Sequence, residues 1–417
     1  MTAGQMWSRR RVLQGSAVVA TAALAGPGRL EAAPEGPRIG FIGVKNRGMQ
    51  NLGPLIQHAV AVCDVDQTVL AAAQARVEKA TGRPCRAFRD HRELLAQQGV
   101  DAVVISTPDH WHALQAAEAI QAGKDVYCEK PLTLNIYEGQ TLVRLARKHG
   151  CIVQTGSQQR SDAKFRLACE LVRSGRLGKI HTVQVGIKRN NFKADLVPDG
   201  PPPPELDYDR WLGPARQRPY NVNRVHYNFR FFWDYSGGQM TNWGAHHLDI
   251  AQWGLGMDES GPVEIEGEGR LNPGVFYETP DWCHVLYRYA SGVVMHCGQD
   301  YKSGVTFEGD RGKLWVDRGK LTAEPAELLL EPLGASDTRL IASDNHYQNW
   351  LESIQTRKLP ICDVAIGHRS ATVCHLGNIA VRTGKKLRWD PVGETILGDD
   401  PLTEWVRPAY RSPWTLP

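Results

Sequence analysis

Asp125-Val126-Tyr127-Cys128-Glu129-Lys130-Pro131 is a short apolar strand that ends in two opposite charges and a proline. It falls near the close of a series in which strand and helix patterns alternate from Arg38 onward. Residues 38–43 and 60–63 read as buried strands with a short helix between them, and residues 102–106 read as another. Residues 110–122 and 136–149 carry apolar side chains at three- and four-residue spacing, the mark of helices. Residues 151–155 form a last strand. Alternation of this kind predicts a parallel sheet covered on both faces. Doubly wound sheets bind ligands at their carboxyl edge, where Glu129 and Lys130 fall.

Beyond Gly156 the pattern changes. One helix at 163–174 precedes longer, alternating strands at 180–188, 263–269, 284–289 and 293–298. Ala290-Ser291-Gly292 and Asp310-Arg311-Gly312 are hairpin signals. The expected fold class is α/β: an N-terminal Rossmann-type, doubly wound parallel sheet, then an α+β domain with an open, largely antiparallel sheet. The expected domains are 34–157 and 158–417, with residues 367–378 a helix returning to the core. A chain of 417 residues with 42% apolar content can bury two such cores.

Residues 1–33 read as a targeting segment. Ser8-Arg9-Arg10-Arg11-Val12-Leu13, a weakly apolar stretch to residue 25 and small residues up to Ala33 have the form of a twin-arginine export signal. The apolar part is too short for a lasting membrane span. Cleavage near Ala32 or Ala33 would release a soluble periplasmic or extracytoplasmic protein, exported folded and able to carry a cofactor out. The nine cysteines are scattered without a C-x-x-C pair, which suits buried hydrophobes better than disulfides or zinc. Net charge is +4 and basic runs are absent beyond the first dozen residues, which argues against a nucleic-acid partner.

Gly43-Val44-Lys45-Asn46-Arg47-Gly48 occupies the place of a phosphate-binding turn but carries lysine where the middle glycine belongs. A cation at Lys45 or Arg47 can meet phosphate charge directly; alone, the segment reads equally as an ordinary strand-to-helix turn. Asp64 ends the second strand about 20 residues later, where a carboxylate can accept hydrogen bonds from both ribose hydroxyls. Its charge would repel a 2′-phosphate, so NAD is expected rather than NADP. Ser106, Thr107, Pro108, His110 and His112 lie at the end of the next strand and join the candidate cofactor set with Asn46, Glu129 and Lys130. The two histidines can equally just begin a helix.

The Gly43–Gly48 turn, the Asp64 strand end, Thr107-Pro108-x-His110-x-His112 and Glu129-Lys130-Pro131 resemble the Gfo/Idh/MocA family of glucose-fructose oxidoreductase, inositol dehydrogenase and their relatives. The resemblance covers the chain beyond its first 33 residues. It implies a nucleotide-binding domain plus an open sheet domain, a sugar or polyol bound between them, and a homo-oligomer paired through the exposed sheet face. It also implies that a histidine joins the lysine at the substrate. His246 matches that histidine, and Asn242 stands where dehydrogenases of the family carry an aspartate. Helical spacing puts Asn242, His246 and Asp249 on one face, with His247 about 100° away. Arg160, Trp243, His247 and Asp249 complete the candidate substrate contacts. No metal is expected, because adjacent histidines on a helix diverge.

Oxidising a carbinol requires a base for its hydroxyl proton. Lysine serves only if its pKa falls from about 10.4 toward roughly 7–8, whereas histidine starts near 6.5. Lys130 and His246 are therefore assigned the proton work and Asn242 the holding of substrate. His375 and Arg369 could reach the cleft, although structural packing is the better reading of both. The aromatic run 229–235 suits either sugar stacking or an oligomer surface. Three functions remain open: an oxidoreductase of a sugar, polyol or glycoside with tightly held NAD, a redox-neutral NAD enzyme that cleaves or epimerises glycosides, and a non-catalytic saccharide- or nucleotide-binding module.

Overall fold

The computed structural model describes residues 36–417 except 191–195, 272, 273, 275, 399 and 408, and without the side chains of 400, 401 and 403. The expected export signal lies outside the described residues. The first sheet holds β1 (Ile39–Ile42), β2 (Ala59–Cys63), β3 (Arg86–Phe88), β4 (Ala102–Ile105), β5 (Asp125–Cys128) and β6 (Val153–Thr155). All are parallel, in the order β3-β2-β1-β4-β5-β6. Every residue of β1, β4 and β5 is buried, which explains why these strands read as continuous apolar runs. Helices α1 (Arg47–Leu55), α2 (Gln67–Thr81), α3 (His91–Leu95), α4 (Asp109–Gln121) and α5 (Ile136–His149) connect them. Asp66 caps α2 through the amides of Thr68 and Val69, and Asn135 with Glu138 forms a capping box on α5. Strand order reverses between β1 and β4, which opens a crevice at their carboxyl ends.

The second half contains α6 (Ala163–Arg173), β7 (Ile180–Gly186), α7 (Tyr208–Leu212), α8 (Gly238–Asn242), α9 (Gly244–Leu255), β8 (Glu264–Arg270), β9 (Trp282–Arg288) and β10 (Val294–Gly298). It continues with β11 (Gly304–Gly309), β12 (Gly312–Asp317), β13 (Lys320–Glu324), α10 (His346–Thr356), α11 (Val364–Thr383), β14 (Leu387–Asp390), β15 (Thr395–Ile396) and α12 (Asp400–Val406). The nine strands run β13-β12-β11-β7-β10-β9-β8-β14-β15; only β7 and β10 pair in parallel. Both expected hairpins are present, as β9–β10 and β11–β12. Helices α6, α9 and α11 cover one face and enclose Val183, Val185, Val285, Tyr287 and Phe307 with Phe165, Leu248 and Val373.

The two halves are laced together. Helix α10 returns to the first sheet and buries Trp350 among Ile39, Phe41 and Tyr127. Just after β6, the Arg160 guanidinium donates from Nε to both oxygens of Asp249 on α9, at 3.0 and 2.9 Å. A second nitrogen reaches Asp258 at 2.7 Å, and Ser370 on α11 donates to Asp249 at 2.6 Å. Arg160 and Asp249 are 1% and 0% exposed, so neither contacts substrate, contrary to their expected role; the cost of burying each charge forces the two together. All nine cysteines are free and buried. Among the described residues no helix is long and apolar enough to cross a membrane, and no group of three or more metal-ligating side chains occurs.

Removing one partner of this network strands a buried charge. Asp249→Ala is expected to lower the stability of the protein by about 3 kcal/mol, read from urea unfolding.

Candidate active site

The crevice continues into a cleft walled by the carboxyl ends of β1, β2, β4 and β5 and by segments of the second half. Its floor is the turn after β1. Gly43 has φ +77°, and a Cβ there would lie 2.7 Å from the Thr107 amide nitrogen. A Cβ on Gly48 would lie 1.9 Å from the Gly43 carbonyl oxygen, so Gly48 serves strand-to-helix packing rather than direct contact. Asn46, at φ 45°, begins α1 without a side-chain cap and leaves a helix N-terminus available to an anion. The Lys45 ammonium lies 3.7 Å from Asp66, which His226 also approaches at 3.1 Å. Asp64 accepts from the amides of Val44 (2.9 Å) and Asp66 (3.0 Å), and burial raises its pKa to about 6 against those bonds.

On the opposite lip Ser106, Thr107, Pro108 and His112 line the cleft. His112 sits between the carbonyls of Pro131 (2.7 Å) and Thr107 (2.8 Å) and so sets the spacing of two cleft loops. His110 does not line it. Its ring is 2% exposed among Trp111, Trp211 and Tyr235, with Nε2 3.0 Å from the Trp211 carbonyl. Burial pulls its pKa down to about 3, so it is a neutral packing residue and not the expected cofactor contact.

Glu129 organises the reactive end. Its carboxylate accepts from Arg47 Nε at 2.8 Å, Asn51 at 3.0 Å and Gln158 at 3.1 Å. Burial would raise its pKa, but the charge of Arg47 and bonds from Arg47 and Asn51 hold it below the ordinary glutamate value. Arg47, expected at phosphate, is thus committed to Glu129. The next residue, Lys130, donates from Nζ to the Asn242 carbonyl at 2.9 Å and its side-chain oxygen at 3.2 Å. Burial first, and then the positive charge of Arg230, lowers the Lys130 pKa to about 8, opposed by Glu129 and Asp109.

Asn242 closes α8 and His246 lies in the first turn of α9; both line the cleft. Asn242 therefore holds the lysine rather than an open position for substrate. His246 is held well below its ordinary pKa by burial and by Lys130, and its Nδ1 is buried without a hydrogen-bond partner. The expected single helix face breaks down beyond His246, where Asp249 turns inward to Arg160. Two other expected substrate contacts also fall outside the cleft. His247 is fully buried with Nδ1 2.7 Å from the Gly186 carbonyl, and Trp243 lies between Lys188 and Arg318, at 3.8 and 4.8 Å from its ring.

Several groups escaped the sequence reading. Asn51, which holds Glu129, lies four residues after Arg47 on α1, a spacing that can send both to one acceptor. Arg230 and Arg318 face the same cleft without flanking motifs that would mark them. In the aromatic run only Phe229 reaches the cleft wall; Phe231, Phe232 and Tyr235 are core. His375 approaches Thr133 in the interior, and Arg369 pairs with Glu394 at 2.8 Å, so neither enters the cleft.

A two-domain dinucleotide-dependent oxidoreductase is the class that this sheet, crevice and lysine-bearing strand end define. The chain belongs to the Gfo/Idh/MocA oxidoreductase family: residues 37–157 match its NAD-binding Rossmann fold and residues 170–416 its C-terminal alpha/beta domain. Over 183 residues it is 31% identical to myo-inositol 2-dehydrogenase of Thermotoga maritima, covering 42% of this chain and 49% of that protein. It is 27% identical over 184 residues to the uncharacterized oxidoreductase YrbE of Bacillus subtilis, covering 44% of this chain and 43% of that one. The chain thus spans about half the length of these relatives or somewhat less. The WlbA dehydrogenase of Bordetella pertussis, solved in complex with NADH and UDP-GlcNAcA, shares the fold with a TM-score of 0.64 at 22% identity, covering 85% of this chain and 99% of that one.

The residues present fit NAD: two glycines without room for a Cβ, an uncapped helix N-terminus, and a carboxylate at the end of β2. Donors from ribose hydroxyls favour ionised Asp64 and lower its pKa on binding, so affinity is lost as pH falls through about 6. Calorimetric titration of NAD is expected to give a constant Kd above pH 7 and a weakening of up to about tenfold per unit below 6. Asp64→Asn should bind more weakly and remove that dependence.

Proposed function

We propose that the protein is an NAD-dependent oxidoreductase acting on a carbinol of a sugar, polyol or glycoside, with the cofactor held tightly through the catalytic cycle. The observation that carries this reading is Lys130: fastened to Asn242 beside His246, with a pKa of about 8. NAD supplies the hydride acceptor. The neutral lysine takes the hydroxyl proton during oxidation and its ammonium returns it during reduction. His246, neutral and with Nδ1 free, orients a second hydroxyl or relays the proton. The charge of Arg230 favours neutral Lys130, and Arg230 and Arg318 together line the cleft with positive charge that favours the alkoxide character developing as the proton leaves. The dehydrogenases of inositols among the relatives support a polyhydroxylated substrate.

Export by the twin-arginine route belongs to the same reading. Outside the cytoplasm no pool of NAD replenishes the enzyme, so hydride must return to a second substrate or to the same one. Return to the same sugar after elimination or inversion is the redox-neutral variant, and product analysis separates the two. Trp282, Leu286 and Trp315 stand half-buried on the outer sheet face and support pairing of copies there.

The first test is denaturation of the mature protein followed by mass spectrometry of released nucleotide and absorbance near 340 nm. NAD or NADH is the expected release; a protein that is empty and takes up none defeats the proposal. Lys130→Ala is expected to keep nucleotide and lose about 10²- to 10⁴-fold in kcat. For oxidation, kcat should rise with pH and level off above about 8. Asn242→Asp places a carboxylate against the ammonium, which raises the Lys130 pKa by roughly one to three units and moves that rise to higher pH. At pH 7.5 the variant should be slower by at least about tenfold and recover as pH increases.

A further inference from the structure

We propose that the segment from Tyr410 to Pro417 is a latch on the adenosine end of the cofactor, with the Trp414 indole packed against the adenine. This rests on the NAD reading above. The segment follows the second half in sequence, yet Tyr410 and Trp414 pack on the first domain. Arg411 anchors it to the loop after α7. Its amide donates to the Pro214 carbonyl at 2.9 Å and its Nε to the Gly213 carbonyl at 2.8 Å. Its other nitrogens reach the side chains of Asp209 and Gln217, both at 2.6 Å, and the Asp209 carbonyl at 3.0 Å. Tyr410 donates to buried Glu138 on α5 at 2.5 Å. A turn closed by the Trp414 amide on the Arg411 carbonyl, 3.0 Å, then sends the indole back toward the cleft.

Trp414 is half-buried and forms part of the cleft wall with Arg92 and Trp111. Its ring centroid lies 4.9 Å from that of Trp111 at an interplanar angle of 79°, and the Arg92 guanidinium carbon lies 5.1 Å from its centroid. The sheet register locates this wall relative to the ligand. Cys63 pairs with Phe88, and the Asp64 amide donates to the Phe88 carbonyl at 3.2 Å. Residues 89–92, which follow β3, are therefore one strand outward from the ribose-binding carboxylate. In a dinucleotide whose phosphates lie at the turn after β1 and whose ribose meets Asp64, the adenine is the group beyond that ribose. An indole and a guanidinium plane suit a flat, neutral heteroaromatic ring.

The test follows release of NADH from the loaded protein during a chase with excess NAD. Trp414→Ala is expected to release it at least about fivefold faster, the lower end of what aromatic contact with a base contributes. Trp414→Phe should restore most of the retention, and the KM for the sugar at saturating NAD should stay unchanged. Hydrogen exchange on the wild-type protein gives a reading independent of variant folding: amides of residues 409–417 should exchange more slowly with NAD bound. Unchanged release from Trp414→Ala together with unchanged exchange overturns the latch and leaves the oxidoreductase reading standing. A wild-type protein that takes up no NAD overturns both.

Discussion

The buried carboxylate of Glu129 is the constraint on which the reactive end of the cleft depends. It sits at the tip of β5 and collects Arg47 and Asn51 from α1 and Gln158 from the turn after β6. A lone carboxylate in that position would be driven toward protonation. Arg47 prevents this, and in doing so gives up the freedom to meet phosphate. Gly156 belongs to the same arrangement: a Cβ there would lie 2.9 Å from the Glu129 carboxyl carbon. Two chain segments, α1 and the turn after β6, are thereby fixed around the backbone that presents Lys130.

The neighbour of Lys130 decides its acid-base character. Asn242 offers two oxygens, and both are neutral dipoles. A carboxylate in their place would stabilise the ammonium and raise its pKa. With asparagine, the ammonium keeps its hydrogen bonds but gains no opposite charge from that side, so burial and Arg230 prevail over Glu129 and Asp109. The departure from the aspartate that the family resemblance implies is thus compatible with a lysine that titrates near pH 8. It is no sign by itself that turnover has been lost.

Much of the first domain was legible because parallel strands buried on both faces leave apolar runs that a pattern can find. Short β3, with two of its three residues exposed, left no such trace. At the site, Asn242 and His246 both line the cleft although one closes α8 and the other lies on α9, whereas Asp249 turns away to a partner 89 residues distant that nothing local announces. His247 and His110 likewise looked functional as residue types, yet each is held by a backbone carbonyl and buried. Arg230, Arg318 and Trp414 went unread for the opposite reason. Their place in the cleft comes from tertiary return of the chain, and isolated arginines and tryptophans carry no periodic signature.

The same returns bear on how the cleft can move. Residues after β2 are joined to the second half by the Gln67 amide on the Glu205 carbonyl (3.0 Å), the Asp207 amide on the Val65 carbonyl (3.0 Å) and His226 against Asp66. Opening the adenosine end by a rigid hinge would break these contacts together, along with the Arg160–Asp249 pair at the domain junction. Lys130 and His246 line the cleft and take no part in these contacts. Under the proposed function, contacts that resist opening of the nucleotide end are what a cycle that reuses one cofactor molecule would require, whereas exchange of NAD at each turnover would need them to break every time.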